Sequence, residues 1–184
     1  QIAIYTAQKG KIKEALNLNI GTFNFAESLG DVNQDGYDDL VYFINKENQP
    51  QLVFVPAKDE GSALDIGSSK VINIPDYILP SDWLINEMES VDVNEDGISD
   101  VVLGGSDGFH ILIMNNDFSI KEYTETTPSF TYVSDIHKFD LDGDGKIDDF
   151  AATDSRNVLV FLSVNTTPTP TPTNTPTPTP TSTP

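Results

Sequence analysis

The sequence predicts an all-β fold of repeated four-stranded antiparallel blades, of the β-propeller type but short of a closed ring. Three observations predict it. An acidic nonapeptide occurs three times in register, at 31–39, 92–100 and 140–148, and each copy leads into an apolar run. Short stretches rich in Val, Ile, Phe and Tyr alternate with Gly, Asn and Asp clusters, which is strand and turn chemistry. Helical periodicity is almost absent from residues 1–165.

The strands can be justified in order. The opening IAIYTAQKGKIKEA parallels ILIMNNDFSIKEYT (111–124) class by class, so it fits the third and fourth strands of a preceding blade. The first full unit runs from FNFAESLGDV through the acidic loop to DLVYFI, then the turn NKENQP, then QLVFVPA, and ends on the polar strand KVINI. The second unit repeats this order as LINEMESVDV, DVVLGG, FHILIMN and IKEYT. The third gives VSDIHKFDL, DFAAT and VLVFLSV, and then the pattern stops. Self-similarity at about 50 residues per four strands is the signature of propeller blades. The chain is thus expected to hold half a blade, two whole blades and three-quarters of another. A chain opening at Gln1, without Met or an apolar leader, reads as a processed product or an excised piece.

The first two acidic loops are 61 residues apart and the last two 48, so the first unit carries 13 extra residues around ALDIGSSKVINIPDYILPSDWL. This insertion holds Tyr77 and the only tryptophan, Trp83. Two roles are open to Trp83: packing between blades, or a stacking platform for a sugar's apolar face.

From residue 166 the composition changes to Thr, Pro and Ser with a single Asn, so residues 166–184 form a Thr/Pro-rich linker or stalk. Proline at every second place removes backbone donors and favours polyproline II, in which this tail would reach roughly 60 Å. Such tracts are typically O-glycosylated on extracellular proteins. Asn165-Thr166-Thr167 also fits an N-glycosylation acceptor.

Composition narrows the partners. Twenty-nine acidic residues against ten basic ones give a formal charge of −19. That excludes a phosphate backbone as partner and argues against anionic membrane surfaces. There is no run of about 20 apolar residues that would insert in a bilayer. Cysteine is absent, so a secreted protein of this kind needs another staple, and metal is the obvious one.

Each acidic loop reads D-x-[DN]-x-D-G-x-x-D. Oxygens at positions one, three, five and nine of a tight loop can converge on one point, position seven adds its carbonyl, and glycine at six permits the turn. Six or seven oxygen ligands suit Ca²⁺, whereas Zn²⁺ wants nitrogen or sulfur and Mg²⁺ a stricter octahedron with retained waters. A dication also explains how so many carboxylates tolerate one another. An EF-hand would need a carboxylate at position twelve and flanking helices. Position twelve is Tyr42, Leu103 or Ala151 and the flanks read as strands, which weighs against a dockerin as well. The plain alternative is three polar hairpin turns.

In these loops the chain resembles the FG-GAP/VCBS family of calcium-binding β-propeller blades, found in integrin α-subunits and bacterial surface proteins. The Phe-Gly and Gly-Ala-Pro signatures are missing apart from Gly104-Gly105. The resemblance implies three Ca²⁺ sites. Their ligands would be Asp31, Asn33, Asp35, the Tyr37 carbonyl and Asp39; Asp92, Asn94, Asp96, the Ile98 carbonyl and Asp100; and Asp140, Asp142, Asp144, the Lys146 carbonyl and Asp148. Counted from the glycine, Asp149 falls where the other units have Leu40 and Val101.

No catalytic constellation is legible. His110 sits among apolar strand neighbours and reads as a satisfied sheet histidine, and His137 as part of a solvated strand face. The expected function is an extracellular or cell-surface calcium-binding module, non-catalytic, for adhesion or for binding carbohydrate or protein. The alternatives are a fragment of a carbohydrate-active enzyme, and a structural subunit that self-assembles through open sheet edges at residues 1–7 and 158–164.

Overall fold

A computed structural model describes residues 2–8, 11–18, 25–46, 49–58, 63–65, 68–79, 83–106, 108–125 and 132–163. The Thr/Pro tract and the acceptor triplet at Asn165 lie outside them. So does the stretch 80–82 within the insertion.

The described residues form antiparallel sheets in chain order. β1 (Ile2–Gln8) and β2 (Lys11–Leu18) make a two-stranded pair. The first four-stranded sheet orders β3 (Phe25–Gly30), β4 (Asp39–Lys46), β5 (Gln49–Val55) and β8 (Lys70–Asn73). Between its third and fourth strands, β6 (Ala57–Lys58) and β7 (Ala63–Leu64) pair as a small ribbon. The second four-stranded sheet orders β9 (Ile85–Val91), β10 (Asp100–Gly105), β11 (Gly108–Met114) and β12 (Ile120–Glu125). The last sheet has three strands, β13 (Asp135–Phe139), β14 (Asp149–Thr153) and β15 (Val158–Phe161). The all-β expectation of four-stranded antiparallel sheets is met. Among the described residues no sheet closes on itself as a barrel.

Of the three buried clusters among the described residues, two have the middle sheet as a wall. Val41 and Phe43 of β4 and Leu52 and Phe54 of β5 meet Val101, Leu103, Leu112 and Met114 in the first core. The second core joins Val102 and Phe109 to Ile136, Phe150 and Ala152. All six residues of β10 are buried. That explains why DVVLGG is a continuous apolar run after its first residue, with none of the alternation a half-solvated strand would show. The first strands of the three blades lie side by side: Ser90 Oγ donates to the Ser28 carbonyl at 2.5 Å, and Lys138 Nζ to the Ser90 carbonyl at 3.1 Å.

The insertion packs as core. Ile78 N and Leu79 N both donate to the Pro75 carbonyl, at 2.8 and 3.0 Å, and Ile74, Ile78, Leu79 and Trp83 join the first core. Trp83 is 6% exposed and meets the His110 ring edge-on at 5.0 Å. It is therefore not an exposed stacking platform, whereas Tyr77, on the same insertion, is 80% exposed. His110 is buried with Nδ1 2.9 Å from the Tyr123 hydroxyl, as a satisfied sheet histidine should be. His137 is exposed, with Nε2 2.9 Å from Asp135 Oδ2.

Candidate metal centres

The three acidic loops join the first strand of each blade to its second, β3 to β4, β9 to β10 and β13 to β14. They fold alike. The first Asp of each accepts two loop N–H groups: Asp31 from Asp35 and Gly36, both at 2.8 Å; Asp92 from Asp96 at 3.1 Å and Gly97 at 2.8 Å; Asp140 from Gly143 at 2.8 Å and Gly145 at 3.1 Å. The third residue accepts from the fifth residue's N–H, with Asn33, Asn94 and Asp142 at 2.9, 2.9 and 3.0 Å. The fifth then accepts from the seventh, so Asp35, Asp96 and Asp144 hold Tyr37 N, Ile98 N and Lys146 N.

These turns need left-handed backbone at two places. Position six is glycine each time, with φ of 96°, 84° and 92° at Gly36, Gly97 and Gly145. Position four is Gln34 at 61°, Glu95 at 57° and Gly143 at 82°. A side-chain residue pays for that conformation, so the loops keep their shape against a local preference.

Each carboxylate has about four acceptor positions, and the turn bonds occupy only some of them. Oxygens of Asp140, Asp142 and Asp149 lie within 4.8 Å of one another, close enough to share a cation. Among the described residues a second such set is Glu95, Asp144 and Asp148. The trios Asp31, Asp35, Asp39 and Asp92, Asp96, Asp100 are not gathered this closely.

The last acid of each loop reveals a register difference. Asp39, Asp100 and Asp149 are the first residues of β4, β10 and β14. Asp39 accepts from Val32 N at 3.1 Å and Asn33 N at 3.4 Å with one oxygen, and from Ala57 N at 2.9 Å with the other. Asp100 accepts likewise from Val93 N at 3.1 Å and Met114 N at 2.9 Å. In the third loop the same bonds go to Asp149, from Leu141 N at 2.7 Å, Asp142 N at 3.2 Å and Ser163 N at 2.8 Å. The third loop thus carries one extra residue between Gly145 and its strand. Asp149 is the counterpart of Asp39 and Asp100, not of Leu40 and Val101, and Asp148 is the residue added. In each blade a buried acid clamps the start of the loop to the chain at the far end of the third strand or two residues past it.

Burial sets the electrostatics of these clamps. Asp100 is pushed up to about 7, chiefly by desolvation and then by the carboxylates of Asp96 and Asp92, against the pull of the Met114 and Val93 N–H groups. Asp39 and Asp92 are raised by burial as well. Asp149 is also buried, but the N–H groups of Leu141, Ser163 and Asp142 outweigh the desolvation and hold it below the usual range. An unfolded Asp titrates near ~3.9. Between about pH 4 and pH 7 the unfolded chain therefore releases the Asp100 proton before the folded one does, and stability falls as pH rises. Thermal melts in chelator are expected to weaken across that window. Asp100→Asn, which cannot ionise, is expected to flatten the slope, and an unchanged slope would mean that other groups set it.

No helix among the described residues is long and apolar enough to cross a membrane. No curated protein and no solved structure matches the chain significantly. Residues 92–148, from the first acid of the second loop to the ninth position of the third, match the FG-GAP-like repeat.

Proposed function

We propose that this chain is a non-catalytic, extracellular or cell-surface module whose propeller-like blades are stiffened by Ca²⁺ in the three acidic loops, and that it serves adhesion or the binding of carbohydrate or protein. One observation carries the reading: the same oxygen-rich turn is built three times, at the same hairpin of each blade, with its backbone donors already folded inward onto the acids. The turn bonds settle the loop and leave oxygen lone pairs over, which is what a hard, flexibly coordinated cation requires. The FG-GAP-like match supports the binding-module part, since repeats of that type often sit in adhesive surface proteins. The Thr/Pro tract of residues 166–184 would hold the blades off a surface as a glycosylated stalk.

The test is calorimetric titration of the chain with calcium. About three ions per chain are expected from the three loops. Asp35→Ala is expected to remove one of them, because it takes away a ligand that also caps Tyr37 N. Asp38→Ala is expected to leave the stoichiometry as it was, because Asp38 is exposed and lies outside the ligand positions. Equal loss in both variants would show that the ligand register is wrong, and no calcium uptake by the parent would end the calcium reading.

A second reading, self-assembly, is favoured by the last sheet. Among the described residues β15 lies at its edge, and Val158 and Val160 on it are exposed. An open apolar edge of this kind invites pairing with another strand. Native mass measurement with and without chelator separates a monomeric module from an assembly.

A further inference from the structure

Asp148 stands apart from every other acid of the loops. It is 3% exposed, and neither of its carboxylate oxygens accepts a hydrogen bond. A buried carboxylate without donors is strongly disfavoured unless a cation compensates it. It is not a member of the close set formed by Asp140, Asp142 and Asp149. One of its oxygens lies within 4.8 Å of carboxylate oxygens of Asp144 and of Glu95, and Glu95 belongs to the second loop. Three acids from two neighbouring blades therefore face one small volume.

A cationic group already stands there. Lys146 Nζ is 2.7 Å from Glu95 Oε2, but 3.7 Å from Asp144 Oδ2 and 3.8 Å from Asp148 Oδ2. Only the Glu95 contact is a hydrogen bond. One ammonium thus satisfies one carboxylate and leaves the buried one with no donor. Lys146 is also about half exposed, so its chain can swing out to water at little cost. Asp148 also lines a cleft of about 510 Å³ together with Asn94, Asp96 and Lys121.

We propose that Glu95, Asp144 and Asp148 form a divalent-cation site bridging the second and third blades, and that the Lys146 ammonium closes this site until an ion displaces it. All the donors are oxygens, which selects a hard cation such as Ca²⁺ over Zn²⁺. The inference rests on the calcium reading of the loops for the identity of the ion, and on Asp148 and Glu95 for its position. The extra residue in the third loop is what makes the bridge: it leaves Asp149 as the clamp and frees Asp148 to face its neighbour.

Calcium titration of the parent chain, Glu95→Gln and Lys146→Gln, with near-UV circular dichroism to confirm the fold, tests this. Glu95→Gln is expected to weaken one binding step on the order of tenfold or more while the other steps stay as they were. Lys146→Gln is expected to tighten that same step, because the competing charge is gone. If both variants titrate as the parent does, the bridge is overturned and the loop cages stand. A parent that binds no calcium overturns both.

Discussion

In excess chelator the melting temperature is expected to drop by more than about 10 °C relative to millimolar calcium. Each loop site filled at about a thousandfold excess over its Kd contributes ~4 kcal/mol through binding to the folded state alone. Three such ions would also lower the formal charge from −19 to −13. The effect should be larger than that of any single loop substitution, because chelation empties all the loops together. It also has a structural route to the cores. Each loop is anchored through a buried acid to Met114 at the end of the third strand or to Ala57 and Ser163 two residues past it, so a loosened loop pulls on the sheet behind it. Scanning calorimetry at matched ionic strength would check this, and superimposable melts with and without chelator would remove calcium from the account of this fold.

Truncating Trp83 is expected to cost ~3–5 kcal/mol, the range for a large aromatic removed from a core. For a domain of this size that amounts to a fall of roughly 10 °C in melting temperature. The ring is locked from several sides. It stands edge-on to His110, and a Cβ added at Gly105 would lie 2.2 Å from its Cζ2, so the glycine exists to let the indole approach the strand. Trp83→Phe is expected to recover part of the loss. A melt of Trp83→Ala in saturating calcium that barely moves would contradict the packing described.

The blades were legible in the sequence because strand and turn chemistry are local. Runs such as DLVYFI and QLVFVPA announce themselves between Asp-Gly and Asn-rich turns, and their order in the second unit repeats that in the first. The turn fold of the acidic loops was legible for the same reason: Asp, Asn and Gly at fixed offsets supply the acceptors and the left-handed backbone. Two features were hidden because they depend on partners distant along the chain. Counting the third loop from Gly145 makes Asp148 its ninth position and a calcium ligand, where the structure has Asp149 as the counterpart of Asp39 and Asp100. Counting back from the apolar run would have picked out Asp39-Leu40, Asp100-Val101 and Asp149-Phe150 as one set. The destination of Trp83 was hidden because nothing near it in sequence says what it packs on. Only the spacing of Ile74, Ile78, Leu79 and Trp83 hinted that the insertion has an apolar side to bury.

Val101 and Val102 are adjacent, yet they end in different cores, Val101 facing the first blade and Val102 the third. A strand used in this way ties together the fates of two otherwise separate structures. A half-folded species with only one core assembled would hold the middle sheet with its other face bare, offering Val102, Phe109 and Ile111, or else Val101, Leu103 and Leu112, to any sticky surface nearby. Such a species is penalised twice, once by the lost burial and once by its tendency to aggregate. The array therefore gains cooperativity that a string of independent repeats would lack. It also means that an inserted or deleted blade could not be accommodated silently: each new neighbour would have to match the face that β10 presents to it.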